Sequence, residues 1–153
     1  MAYYLQEPFA VLRKINILLV EDDELDVLNV RRAFRGTPTI DTITVAGDGA
    51  EGLRLLQSGE VARNRLLIML DLRMPRMSGL EFLHHLRQDP ELRILPVVVM
   101  TTSRDVHDLH QAYRHHVAGY LFKPVSLTQF RDCMNRLQAY WSQISFPWES
   151  DVH

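Results

Sequence analysis

Acids, hydroxyls and one lysine stand at the ends of short apolar runs in this chain, which is where ligands collect in an open parallel sheet. Glu21, Asp22 and Asp23 follow the run 15–20, and Asp71 follows the run 66–70. Thr101, Thr102 and Ser103 close the run 96–100, and Lys123 follows 120–122, immediately before Pro124. Several carboxylates brought together repel one another unless some hold protons or a cation lies between them. Hard oxygen donors without thiolate select Mg²⁺ or Mn²⁺, and such a site is commonly completed by a phosphate. Lys123 would give that phosphate a compact counter-charge, and the Thr101 hydroxyl could bond another of its oxygens. A carboxylate beside a bound metal and facing a phosphoryl group is placed to act as a nucleophile, forming an acyl phosphate. Asp71, at the mouth of the central run, is the best placed of the acids.

This convergence requires the runs to be strands of one parallel sheet. They are near-continuously apolar rather than alternating, as strands covered on both faces must be. A β-branched stretch, 42–46, makes a fifth candidate. Segments with helical spacing separate them, and strand-then-helix repeated five times predicts a doubly wound α/β fold. Helix starts are marked by Asp48, Ser78 and Ser126, each with an acid or amide three residues on, and by Asp22 or Asp23. The last helix carries the clearest stripe: Leu127, Phe130, Met134, Leu137, Tyr140 or Trp141, and Ile144. The expected strands are 15–20, 42–46, 66–71, 95–101 and 118–122. The expected helices are 24–35, 49–58, 79–88, 105–116 and 126–144.

The whole chain has 153 residues, 46% hydrophobic and 24% charged, with a net charge of −2. That is ordinary usage for one globular domain and argues against wholesale disorder. No basic field is present to recruit nucleic acid or anionic lipid. The longest apolar run falls far short of the roughly 20 residues that span a bilayer, and no export signal is evident. A single cysteine, Cys133, cannot form an internal disulfide, so a cytoplasmic protein is expected. Adjacent histidines, His84-His85 and His115-His116, fall on expected helices, where neighbours point about 100° apart and chelate poorly.

With these residues in view, the sequence resembles the bacterial response-regulator receiver domain, the CheY-like phosphoacceptor of two-component systems. The resemblance rests on Ile17-Leu-Leu-Val-Glu-Asp-Asp23, Met69-Leu-Asp-Leu-Arg-Met-Pro-Arg-Met-Ser-Gly79, Pro96-Val-Val-Val-Met-Thr101 and Gly119-Tyr-Leu-Phe-Lys-Pro124, and it covers about 15–145. It implies a flavodoxin-like five-stranded parallel sheet of order 2-1-3-4-5, flanked by five helices. It implies a phosphoryl group accepted on Asp71 from a sensor histidine kinase. Mg²⁺ or Mn²⁺ would be held by Glu21, Asp22, Asp71 and the backbone carbonyl of Arg73. Thr101, with Thr102 beside it, and Lys123 would engage the phosphoryl oxygens. Tyr120 would relay the change to the face formed by the fourth helix, fifth strand and fifth helix. The peptide bond before Pro124 would be cis. In the family, phosphorylation and dephosphorylation are self-catalysed, so the chain is expected to signal rather than to act as an enzyme.

Arg73 stands where many relatives carry Asn, putting a long cation beside the phosphoryl position, and Ser103 occupies the other rim position. Segments such as Asp89-Pro-Glu-Leu-Arg93, Thr101-Thr-Ser103, Val117-Ala-Gly-Tyr120 and Tyr140-Trp141 are similar to the single-domain regulators that partner bacterial and cyanobacterial phytochromes. That likeness implies a bacteriophytochrome kinase as donor. Residues 1–14 are expected to extend the domain 15–145, and 146–153 to form a tail. Tyr140, Trp141, Phe146 and Trp148 lie close in sequence and suggest a homodimer. The tail is too short for a DNA-reading helix pair, so neither nucleic acid nor membrane is an expected partner. Two rival readings remain at this stage. One is a receiver-like scaffold that works without phosphorylation. The other is a phosphohydrolase of the haloacid-dehalogenase type, which wants a second aspartate where Arg73 stands.

Overall fold

A computed structural model describes residues 13–149, and its strands form where buried parallel strands were expected. In chain order the elements are β1 (Ile15–Val20), α1 (Glu24–Phe34), β2 (Ile40–Ala46), α2 (Gly49–Ser58), β3 (Leu66–Leu70) and α3 (Gly79–Gln88). A single 3₁₀ turn, Leu92–Ile94, then leads to β4 (Val97–Thr101), α4 (Val106–Arg114), β5 (Gly119–Phe122) and α5 (Leu127–Trp141). All strand pairs are parallel, and the sheet order is β2-β1-β3-β4-β5.

Successive residues of a strand face opposite sides, so each apolar strand feeds two cores. Leu18, Val20, Leu66, Ile68, Leu70, Val97 and Val99 meet α2 and α3 through Leu53, Leu56, Phe82, Leu83 and Leu86. Ile15, Ile17, Leu19, Leu67, Met69, Val98 and Met100 meet α1 and α5 through Val30, Phe34, Phe130, Met134 and Trp141. Fully burying one such side chain is worth about 1.5–3 kcal/mol. These strands are therefore held firmly, and their polar tips with them.

Capping residues fix where the helices begin. Asp23 accepts the amides of Leu25 and Asp26, Asp48 that of Glu51, Ser78 that of Glu81 and Ser126 that of Gln129. Strand β2 starts two residues earlier than expected because Ile40 pairs with Ile15 across an irregularity between Ile15 and Asn16. Strand β4 starts two residues later, since the 3₁₀ turn closes with the Leu95 amide donating to the Leu92 carbonyl. Helix α4 ends at Arg114, so His115 and His116 lie beyond it, with His116 in the left-handed region at φ 57°. On α5, Trp141 rather than Tyr140 takes the inward position, and Leu127 is exposed.

The edge of the sheet opposite the polar strand tips is closed by Arg65, which is buried. Its guanidinium donates to the carbonyls of Lys14, Trp141, Ser142 and Ile144 and pairs with Glu149. Phe146 packs against Trp141 with ring centroids 5.5 Å apart. Two of the four aromatics that suggested a second subunit are thus used within this fold, while Tyr140 and Trp148 stay exposed. Residues 1–12 and 150–153, parts of the expected extension and tail, lie outside the described residues.

The Lys123–Pro124 bond corrects one expectation. No described peptide bond is cis, so this one is trans. A tertiary amide prefers that form by about 0.5–1 kcal/mol unless its surroundings select the other.

Gly79 opens α3 against the chain that leaves β3. A Cβ there would lie 2.3 Å from the Asp71 carbonyl oxygen and 2.7 Å from the Leu72 Cα, both backbone atoms with little freedom to yield. Gly79→Ala should therefore lower unfolding stability by about 1–3 kcal/mol, read as a lower urea midpoint at unchanged slope.

Candidate functional site

Three backbone bonds hold the strand tips side by side. The Glu21 amide donates to Ala46, the Asp71 amide to Val20 and the Lys123 amide to Thr101, at 2.9, 3.0 and 2.9 Å. The carboxylates of Glu21, Asp22 and Asp71 consequently converge, each offering an oxygen within 4.8 Å of the others. Glu21 and Asp71 are buried and Asp22 is exposed. The cluster opens into a cleft of about 730 Å³ whose wall includes Asp22, Asp26, Asp71, Arg73, Thr102 and Lys123.

Lys123 is the hub. Its ammonium donates to Glu21 Oε2 and Asp26 Oδ2, both at 2.7 Å, and stands 3.6 Å from Asp71 Oδ2. Burial would strip its proton, but the hydrogen bonds of Asp26 and Glu21 and the charges of Glu21 and Asp71 outweigh that and raise its pKa. Glu21 shows the opposite balance. Burial lifts its carboxyl to about 7, against the pull of Lys123 and with a push from Asp71. Its other oxygen accepts the Asp23 amide at 3.0 Å.

The remaining sequence candidates divide in two. Thr102 lines the cleft, whereas Thr101 is fully buried and its hydroxyl oxygen accepts the Ser103 amide at 3.2 Å. The Arg73 side chain does not lie against Asp71. It reaches α4 and donates to Asp108 Oδ2 at 2.8 Å, the same oxygen that receives the Ser103 hydroxyl at 2.6 Å. Tyr120 is half-buried, with its hydroxyl donating to the Ser103 carbonyl at 3.3 Å. Its ring meets Phe122 edge-on, the centroids 5.7 Å apart. Burial raises the Tyr120 pKa, and the hydroxyl keeps its proton.

Asp26 and Asp108 were not among the sequence candidates. Asp26 reads there as one more acid in the first turn of α1, favoured by the helix dipole. Asp108 reads as a polar residue in the first turn of α4. Asp26 also had a faint signal, since it falls in the first turn of α1, directly after the acids at the tip of β1.

A five-stranded parallel sheet of order 2-1-3-4-5, with acids and a lysine gathered at the strand tips, defines a receiver-type α/β fold. Residues 17–135 match the response regulator receiver domain, and the chain belongs to that family. Among its relatives is the response regulator Rcp1 of Synechocystis, 36% identical over 129 residues, spanning 82% of this chain and 87% of Rcp1. A probable methanogenesis regulatory protein, FilR2 of Methanothrix harundinacea, is 36% identical over 127 residues, 82% of each chain. In structure, the chain is similar to the phosphorylated cyanobacterial phytochrome response regulator RcpA. That match has a TM-score of 0.81 and 29% identity, and it covers 88% of this chain and 99% of RcpA. It is also similar to the Mn²⁺-bound form of Rcp1, with a TM-score of 0.76, 34% identity and coverage of 87% and 99%. Among the described residues, no helix is long and apolar enough to cross a membrane.

The raised pKa of Glu21 has a consequence for stability. Its ordinary value is 4.5 and its folded value about 7, so the folded state holds this proton more tightly than the unfolded chain. The resulting stabilisation is complete below pH 4.5 and is lost as pH rises through 7. Metal-free protein should therefore weaken between about pH 5 and 8, by about 3 kcal/mol at most. Urea unfolding across that range should show the decline, and Glu21→Gln should flatten it.

Proposed function

We propose that this chain is a phosphoryl-accepting response regulator, with Asp71 as the acceptor and Mg²⁺ or Mn²⁺ as the required cation. The observation that carries this reading is the convergence of Glu21, Asp22 and Asp71 around one point, with the Lys123 ammonium 3.6 Å from Asp71. Oxygen donors of this kind fit a hard divalent ion. Glu21, Asp22, Asp71 and the backbone carbonyl of Arg73 would hold it. Such an ion would offset the clustered negative charge and draw electron density from phosphoryl oxygens. The Mn²⁺-bound form of the relative Rcp1 supports this choice of metal class.

The donor is a sensor histidine kinase, and the likeness to phytochrome response regulators supports a bacteriophytochrome in that role. A carboxylate oxygen of Asp71 forms the new P–O bond as the P–N bond of phosphohistidine breaks. The bonding pair passes to the imidazole nitrogen, which takes a proton. Lys123 then pairs with a phosphoryl oxygen, and Thr101 and Thr102 supply hydroxyls at the tip of β4. Tyr120, tied to the Ser103 carbonyl, lies between this site and the α4–β5–α5 face. That face carries exposed Val106, Tyr113 and Phe122, apolar groups suited to a protein partner.

A homodimer belongs to the same proposal. Tyr140 borders a cleft of about 550 Å³ between β5 and α5, lined also by Leu121, Leu137 and Trp141. Light scattering at high concentration should give twice the monomer mass, and a strictly monomeric mass removes the dimer.

Acetyl phosphate with Mg²⁺ should add the mass of one phosphoryl group, removable by hydroxylamine. The addition should disappear on chelation and in Asp71→Asn. An adduct that survives loss of Asp71, or no adduct in the native protein, overturns the assignment. Partner binding unchanged by Asp71→Asn, with or without kinase, would favour the phosphorylation-independent scaffold.

A further inference from the structure

The Lys123 ammonium pairs with Asp71 only by charge and makes no hydrogen bond to it. Its two short contacts, both 2.7 Å, go to Glu21 and to Asp26, while Asp71 lies at 3.6 Å. Glu21 and Asp71 are strand-tip acids, but Asp26 comes from a different element, the first turn of α1. It lines the same cleft as Asp71, and its side chain is 29% exposed, against 7% for that of Lys123. Asp26 owes nothing to the N-cap, because Asp23 already supplies the capping oxygen and accepts the Asp26 amide itself. Its carboxylate is therefore free to serve Lys123 alone, and Lys123 is its sole ionic partner among the described residues.

We infer that Asp26 is a positioning residue that competes with the phosphoryl group for Lys123. This rests on the phosphoryl-acceptor reading of Asp71. An ammonium has three donors, and two are taken by short bonds to carboxylates in the resting protein. Those two bonds fix the ammonium 3.6 Å from Asp71, so drawing it onto a phosphoryl oxygen there would pull it away from one of them. Glu21 cannot give its place freely, since it is almost wholly buried and no water can replace the donor it would lose. Asp26 can, because water reaches it and would solvate its carboxylate once Lys123 turns away. Asp26 is thus the exchangeable partner. It keeps the buried ammonium satisfied at rest and sets how tightly an anion at Asp71 is then held.

Beryllofluoride with Mg²⁺ is a stable probe of this exchange, its affinity being read by titration calorimetry on the full chain. Asp26→Asn should tighten binding by about threefold to tenfold, the range expected when a partly exposed ion pair of about 1 kcal/mol no longer has to break. Asp26→Glu should return it towards the native value. A double-mutant cycle separates release of Lys123 from simple removal of a repelling charge. In the Lys123→Gln background, Asp26→Asn should change the affinity less than twofold. Unchanged or weaker binding in Asp26→Asn overturns the inference, and so does an equal gain in both backgrounds. Failure of native protein to bind beryllofluoride or to take a phosphoryl group overturns the acceptor reading itself, a distinct result. Urea melts of each variant show whether it folds, and Asp26→Ser, which also removes the carboxylate, carries the comparison if Asp26→Asn does not.

Discussion

A single ammonium shared among carboxylates from three separate elements is the constraint around which the polar edge of this fold is arranged. Lys123 comes from the end of β5, yet its partners stand at the ends of β1 and β3 and on α1. With strands about 4.8 Å apart, β5 and β3 are separated by about 10 Å across β4. Only a long, unbranched cationic side chain spans that gap while delivering a point charge, and a planar guanidinium would present its donors in a fixed fork instead. Burying such a charge costs several kcal/mol, and unmatched it would shed its proton. The acids prevent this. The same contacts bind the tips of an edge strand and a central strand into one unit, so the site and the sheet support each other.

The parts legible in the sequence are those governed by local rules. Strands buried on both faces must be largely apolar, and the short runs 15–20 and 66–70 fit that rule with Asn16 alone breaking it. The caps at Asp48, Ser78 and Ser126 act within three residues of themselves, and each side chain accepts the amide three residues on. The less legible parts depend on distant partners. Asp26 and Lys123 are 97 positions apart, and Arg73 and Asp108 are 35. No spacing rule joins them, since each pairing exists only after the sheet has placed its strand tips together. Arg65 is the extreme case. In sequence it is a polar residue in a loop, and in the fold it is a buried clasp for carbonyls from two chain segments. The proline at 124 shows a different limit, because a family habit of geometry does not determine this chain's peptide bond.

From the rim of the site a second network runs outward. Arg73, two residues beyond Asp71, holds Asp108 on α4. Asp108 also receives the Ser103 hydroxyl, and the Ser103 carbonyl accepts the hydroxyl of Tyr120 on β5. The loop after β3, the start of α4 and the middle of β5 are thereby connected through one carboxylate and one serine. Asp108 is itself buried, so its two bonds are poorly screened and costly to break singly. Arg73, by contrast, is 63% exposed, and its half of the pairing is the weaker one. The network is strong between Ser103 and Asp108 and looser both towards the cleft and towards β5.

The same asymmetry governs the charges at the centre. Glu21, Asp22, Asp26 and Asp71 surround one lysine, so the cluster has more negative than positive charge even when Glu21 holds a proton. A site with this surplus repels any phosphate that approaches it unaccompanied. Protonation of Glu21 relieves part of the excess and is available only below about pH 7. Above that, the relief must come from a cation, and the oxygen donors suit a divalent one. The balance of acids over base therefore suits the bound divalent ion that the proposed function calls for. On the proposed function, that ion would let a phosphoryl group approach a point so rich in carboxylates.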